Sequence, residues 1–316
     1  MDKNMFNSMI DFMLGGSERV PSFSLPAVDI GAYKRPIKEN LRVTWFGHST
    51  CLIEIDGKVI ITDPMFSDRA SPLSFIGPKR FTTDVDFQIQ DLPKIDIVVI
   101  SHDHYDHLDY DTIRYLRDKS EQFYVPLGVK QYLESWGVSP EKVVELDWWE
   151  ENSYNGLRFA ATPTRHFSGR GLRRDRTLWA SWVIIGTKQR LYFGGDSGYF
   201  DGFKKIGEKY GPFDLTMLES GAYNNAWADI HMMPEETVQA HLDLDGEILL
   251  PIHWGKFNLS LHPWREPIER LLAEAKIKGV RAITPIQGEA IVLSEQYETE
   301  TAQYVVNRWW DKSLGI

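Results

Sequence analysis

Cysteine is nearly absent. The 316 residues contain one, Cys51, so no disulfide forms within the chain and a disulfide-stapled secreted domain is excluded. Cys51 opens the run CLIEI and reads as a small core residue of a strand. Positive charge is in deficit: 35 Lys and Arg stand against 45 Asp and Glu, a net charge of -10. That balance removes the basic face of a general nucleic-acid binder, and no nucleic-acid partner is expected. No window of about 18 apolar residues occurs, so no transmembrane helix is expected. The first 16 residues are too short for a signal peptide and are interrupted by Asp2, Asn4, Asn7 and Asp11. The expected location is cytoplasmic.

Apolar residues are abundant instead. They make up 42% of the chain, with 25% charged, the values of an ordinary globular protein. Aromatics reach 13%, including 11 Trp, enough for a large core with rings left over for a pocket.

The chain carries a degenerate internal repeat. Segment 41–63 reads as a strand, then a hairpin turning at Asp56-Gly57, and ends at Asp63. Segment 179–196 repeats the pattern, with a turn near Gly186 and a terminal Asp196. IDIVVIS at 95–101 matches FDLTMLES at 213–220, and RFAATP at 158–163 matches RAITP at 281–285. Helix-like stretches DTIRYLRD (111–118) and PEETVQAHL (234–242) lie between, the second with Pro234 at its first position. Two βα halves, about 41–178 and 179–296, are therefore expected to pack sheet against sheet with helices outside. Residues 1–40 read as an arm over the core, and 297–316 as a closing helix carrying Trp309 and Trp310.

Of nine histidines, three fall in SHDHYDHLD at 101–109, directly after the buried strand IVVIS. In an extended loop residues two apart point the same way, so His102, His104 and Asp106 converge, and a turn brings His107 round. Imidazole nitrogen and carboxylate oxygen suit zinc and related divalent metals. Four such ligands within six residues exceed the needs of one tetrahedral ion, and two ions sharing the loop explain them. His166, Asp196 and His253 each follow a strand, which supplies three further ligands. The two glycines before Asp196 let the backbone approach closely. His241 and His262 lack such placement and read as structural.

The series His102-x-His104-x-Asp106-His107, followed by His166, Asp196 and His253, resembles the signature of the metallo-β-lactamase superfamily. DPMFSDRASPLSFIGPKRF (63–81), ELDWWEEN (145–152), GPFDLTMLESGAY (211–223), HMMPEETVQAH (231–241) and IHWGKFNLS (252–260) are similar to the N-acylphosphatidylethanolamine-hydrolysing phospholipase D family. The resemblance implies an α/β fold, an αββα sandwich, with a dinuclear metal site. It implies one zinc on His102, His104 and His166, a second on Asp106, His107 and His253, and Asp196 bridging. It also marks Asp63 and His231 as important to activity.

The expected activity is a zinc-dependent phosphodiesterase acting on N-acyl phospholipids, with Mn²⁺ or Fe also compatible with the ligands. Two ions would activate water near neutral pH and neutralise developing charge. Asp106, His231 and Asp63 are the expected catalytic residues. Asp63 would orient a histidine ligand, and His231 would stabilise charge or protonate a leaving group. A lactonase or carboxylic esterase is the alternative, and a non-hydrolytic metal-binding protein a third reading. Met5, Phe6, Met9, Ile10, Phe12, Met13 and Leu14 would form an apolar stripe on a helix, either packed on the protein or turned to a membrane surface.

Overall fold

The computed structural model describes residues 18–30, 41–171, 173–293 and 306–311. Within them two seven-stranded sheets pack face to face, with helices on the outer surfaces. This is the αββα sandwich.

The first sheet begins as a meander. β1 (Leu41–Trp45), β2 (Cys51–Ile55) and β3 (Lys58–Thr62) pair antiparallel in order. The β2–β3 hairpin turns at Asp56 (φ 51°) and Gly57 (φ 73°), the pair of left-handed residues that a two-residue turn needs to match strand twist. β4 (Ile97–Val99), β5 (Gln122–Pro126) and β6 (Val143–Leu146) then add in parallel. Parallel neighbours need crossovers: the 63–96 segment makes the first without an α-helix, and α1 (Tyr110–Leu116) and α2 (Lys130–Ser135) supply the next two.

The second sheet repeats the plan. β7 (Glu151–Tyr154), β8 (Leu157–Thr162), β9 (Ser181–Ile185) and β10 (Arg190–Phe193) are antiparallel. β11 (Phe213–Glu219), β12 (Gly246–Ile252) and β13 (Arg281–Ala282) add in parallel. Their crossovers are α3 (Gly202–Tyr210), α4 (Pro234–Asp243) and α5 (Glu266–Lys278). Pro234 opens α4, and the Glu236 carboxylate accepts the Met233 N–H at 2.9 Å. Last, β14 (Ala290–Leu293) crosses back to pair with β1.

The sheets do not divide the chain where the repeat does. The repeat breaks at 178, whereas the sheets change between Leu146 and Glu151, so the β7–β8 hairpin belongs to the second sheet. The described part of the C-terminal segment, 306–311, is a turn and not a helix. Its Trp309 stacks on Trp254 at 5.2 Å, and Trp254 stacks on Trp45 at 5.4 Å. The apolar N-terminal stripe at 5–14 lies outside the described residues, as does most of 297–316.

Side chains sort by the two-residue period of a strand. Cys51, Ile53, Ile60, Ile97, Val99 and Tyr124 face the second sheet. Leu52, Val59, Ile61, Val98, Phe123 and Val125 face outward and are covered by Ile113, Leu116, Val129 and Leu133 of and beside α1 and α2. Between the sheets Tyr124 stacks on Phe159 at 4.1 Å, and the Trp182 indole donates to the Ile100 carbonyl at 2.9 Å. The burial of these apolar faces, worth about 25 cal/mol per Å², joins the sheets.

Candidate metal centre

Strand direction puts the site in one place. β1, β3 and β4 run the same way in the first sheet, and β8, β10, β11 and β12 do so in the second. His48, Asp63 and the 101–109 loop follow the first three. His166, Asp196 and His253 follow β8, β10 and β12, and Glu219 ends β11. Every one of these residues lies at a C-terminal strand end. The sheets are tied there by Ala180 N–H donating to Ser101 O at 2.9 Å. Glycine makes the approach feasible. Gly195 has φ 58°, and a Cβ on it would lie 2.6 Å from the Ser101 Cβ.

The first group is three imidazoles and a carboxylate: His102, His104, His166 and Asp196. His102 Nε2 is 2.8 Å from His104 Nδ1, which is 3.2 Å from His166 Nε2. The His166 Nδ1–H donates to the Ile230 carbonyl at 2.9 Å, which turns Nε2, the acceptor nitrogen of a neutral ring, inward.

The second group is Asp106, His107 and His253, joined by His48. His107 donates its Nδ1–H to Asp63 at 2.7 Å and aims Nε2 at Asp196 and Asp106, 3.2 and 3.3 Å away. Asp63 is fully buried and is itself held by Ser101, whose N–H donates to it at 2.7 Å. His253 Nε2 lies 3.1 Å from Asp196 and 3.5 Å from Asp106.

The groups share one atom. Asp196 Oδ2 lies 3.8, 3.7, 3.2 and 3.1 Å from nitrogens of His102, His166, His107 and His253. Yet His107 Nε2, His253 Nε2 and Asp196 Oδ1 are buried with no hydrogen-bond partner among the described residues. Inward-facing acceptor nitrogens gathered round carboxylate oxygens are the donor set of a cation, and these residues fit a divalent metal.

The electrostatics of the protein groups agree. Burial, and then the neighbouring imidazoles, hold His102 well below the usual histidine range. Burial would raise Asp196, but His107 and His253 outweigh it and hold it well below the carboxylate range. Burial would lower His253, but Asp196 and Asp106 push it up to about 10. A buried anionic pocket lined by nitrogen ligands draws a cation.

At the rim, His231 donates Nδ1–H to Glu219 at 2.8 Å. Its ring lies 5.1 Å from that of His166 and 5.3 Å from that of His253. Glu219 is buried and also accepts the Met232 N–H at 2.9 Å.

A family model described as a beta-lactamase superfamily domain matches residues 58–254. The chain belongs to the metallo-β-lactamase superfamily. It is a metal-dependent hydrolase. An uncharacterized protein of Mycobacterium tuberculosis is 48% identical to it over 92% of this chain and 77% of its own. An N-acyl-phosphatidylethanolamine-hydrolyzing phospholipase D of Caenorhabditis elegans is 36% identical over 87% of this chain and 82% of its own. Among solved structures, a metallo-hydrolase from Ignicoccus hospitalis shares the superfamily fold with a TM-score of 0.63, at 22% identity, over 81% of this chain and 99% of its own.

The structure brings together all of His102, His104, Asp106, His107, His166, Asp196 and His253, with Asp63 behind His107 and His231 at the rim. His241 and His262 lie apart: His241 Nδ1 meets the Thr216 hydroxyl at 2.7 Å, and His262 stacks on Tyr223 at 4.2 Å. Sequence reasoning missed Glu219 and His48. Glu219 had a signal, a carboxylate ending an apolar buried strand. His48 had only its place after a strand and a glycine.

Proposed function

We propose that the chain is a dinuclear phosphodiesterase of phospholipase D type, acting on N-acyl phosphatidylethanolamine-like lipids. One observation carries the two-cation reading: Asp196 Oδ2 is shared between two imidazole groups. His102, His104 and His166 would hold one ion and Asp106, His107 and His253 the other, with Asp196 between. Zinc suits this ligand set, as do Mn²⁺ and Fe. When bound, such a pair lowers the pKa of water to near neutral and offsets charge on a phosphoryl oxygen.

The chain's own residues do the rest. Asp63 fixes the His107 ring, so that Nε2 stays turned to the pocket. Asp106 and Asp196 supply the negative charge that binds cations. Glu219 accepts the His231 Nδ1–H; held there as an imidazolium, the ring would pass its Nε2 proton to the departing alkoxide oxygen and be left neutral, still donating Nδ1–H to Glu219. The substrate class draws support from the 36%-identical relative named for that lipid. It also draws support from the 71–76 loop, where Leu73, Phe75 and Ile76 are 47%, 75% and 56% exposed. That loop borders a cavity of about 1000 Å³, which also takes in Tyr105 of the 101–109 loop. Exposed apolar groups beside a cavity suit an aggregated lipid and a peripheral membrane contact.

The test is a panel assay of zinc-loaded protein on an N-acyl phosphatidylethanolamine, a lactone and a carboxylic ester. Release of the N-acylethanolamine at a rate well above the other two turnovers is expected. Preferential turnover of the lactone or the ester would assign the chain to that class instead.

A further inference from the structure

His48 is not in the seven-residue ligand set, yet the surrounding chain holds it firmly in an uncommon conformation. It follows β1, is 1% exposed, and has φ 55°, a left-handed backbone that a residue with a side chain rarely adopts. His253 is left-handed as well, at φ 64°. The two strained residues are locked together. His253 N–H donates to His48 O at 2.9 Å, and His48 N–H donates to Trp254 O at 3.0 Å. Trp45 Nε1 adds a second hydrogen bond to His48 O at 2.8 Å. The preceding Gly47 is left-handed too, at φ 80°, a conformation that glycine adopts without strain, and a Cβ there would lie 2.9 Å from Gln287 Oε1. Strain held by this many contacts gathers at functional positions.

The result is a fixed ring. The His48 and His253 rings lie 4.1 Å apart, and Phe257 meets the His48 ring edge-on at 5.4 Å. His48 Nε2 then lies 2.9 Å from Asp106 Oδ2. A carboxylate only accepts, so the imidazole donates. Of the three imidazoles round that oxygen, His48 comes nearest. His107 and His253 stand at 3.3 and 3.5 Å.

We propose that His48 is a positioning residue of the metal centre: its Nε2–H fixes the Asp106 carboxylate against His107 and His253, and so sets the cation affinity of that one site. The inference rests on the two-cation reading above. A ligating carboxylate that also accepts a hydrogen bond keeps its orientation, and removing such a partner weakens metal binding by about 10–100-fold. The His102, His104 and His166 group makes no hydrogen bond with His48 among the described residues. The effect is therefore selective.

The experiment titrates zinc against a competing chelator into metal-free wild type, His48→Phe and His48→Gln, with circular dichroism checking the fold of each. Wild type binds two equivalents. In His48→Phe, which keeps a ring and loses the donor, one equivalent weakens about 10–100-fold and the other holds. His48→Gln, whose amide N–H stands near the Nε2 position, recovers most of the loss. If His48→Phe fails to fold, His48→Asn, polar but too short to reach Asp106, replaces it. Two wild-type affinities in the donor-free variant overturn the proposal. So does equal weakening of both equivalents, or equal loss in His48→Gln and His48→Phe, which would make the ring a ligand or a packing element. Fewer than two equivalents in wild type would instead overturn the two-cation reading itself.

Discussion

Asp196 is the residue on which both groups depend, because its Oδ2 faces nitrogens from three separate strand ends. Asp196→Asn keeps the shape and removes the charge. Elemental analysis after zinc reconstitution should show both equivalents reduced, not one. Asp63→Asn should act more narrowly, lowering metal affinity about 10–100-fold through a loosened His107. His231→Ala should keep both equivalents and lose about 10²–10⁴-fold in turnover, as expected for a proton-transfer group outside the ligand set. His241 makes a contrasting prediction about stability. It is buried, and burial pushes it from 6.5 down to about 4. Its folded value lies below its unfolded one, so its contribution is present above pH 6.5 and is lost as pH falls toward 4. The loss is on the order of 3 kcal/mol. Denaturant titrations across that range should show the stability advantage of wild type over His241→Asn shrinking toward acid pH. The histidines and aspartates that cluster at the rim were legible in the sequence because metal chemistry needs a narrow set of side chains, and these stand at strand ends. Glu219 and His48 were not singled out, because their roles are hydrogen bonds to His231 and Asp106, which only the folded chain reveals.

The loops after the strands carry the clustered histidines and carboxylates, and they hold one another. Asp109 at the end of the 101–109 loop accepts the N–H groups of Phe66 and Ser67 at 3.2 and 3.0 Å, which anchors the base of the 66–80 loop. Arg170, after His166, donates to the carbonyls of Asp103 and Leu108 at 3.1 and 2.6 Å and lies over the Tyr105 ring. The anchored 66–80 loop presents Phe75 and Ile76 to solvent. If that tip meets lipid, Phe75→Ser with Ile76→Ser should reduce turnover of vesicle-bound phospholipid several-fold while turnover of a short-chain soluble phosphodiester is kept. Equal loss on both would leave the tip with a folding role. Strands and crossover helices were legible because their apolar periodicities are strong. The sheet boundary was not: the β7–β8 hairpin pairs with β9 through backbone groups, a choice the repeat pattern does not encode.

At the level of the whole chain, two sheets meet along one rim, and their strand ends build a two-part site from residues as far apart in sequence as Asp63 and His253. The return of β14 to β1 binds the last described strand to the first, so the first sheet is complete only with residues from both ends of the sandwich's sequence, while the second is built from the single stretch 151–282. No helix among the described residues is long and apolar enough to cross a membrane. The most direct test of the two-cation centre is anomalous diffraction at the zinc edge from crystals of the reconstituted protein. Two peaks are predicted, one beside His102, His104 and His166 and one beside Asp106, His107 and His253, with the Asp196 carboxylate between them. A single peak, or peaks away from Asp196, would contradict the account.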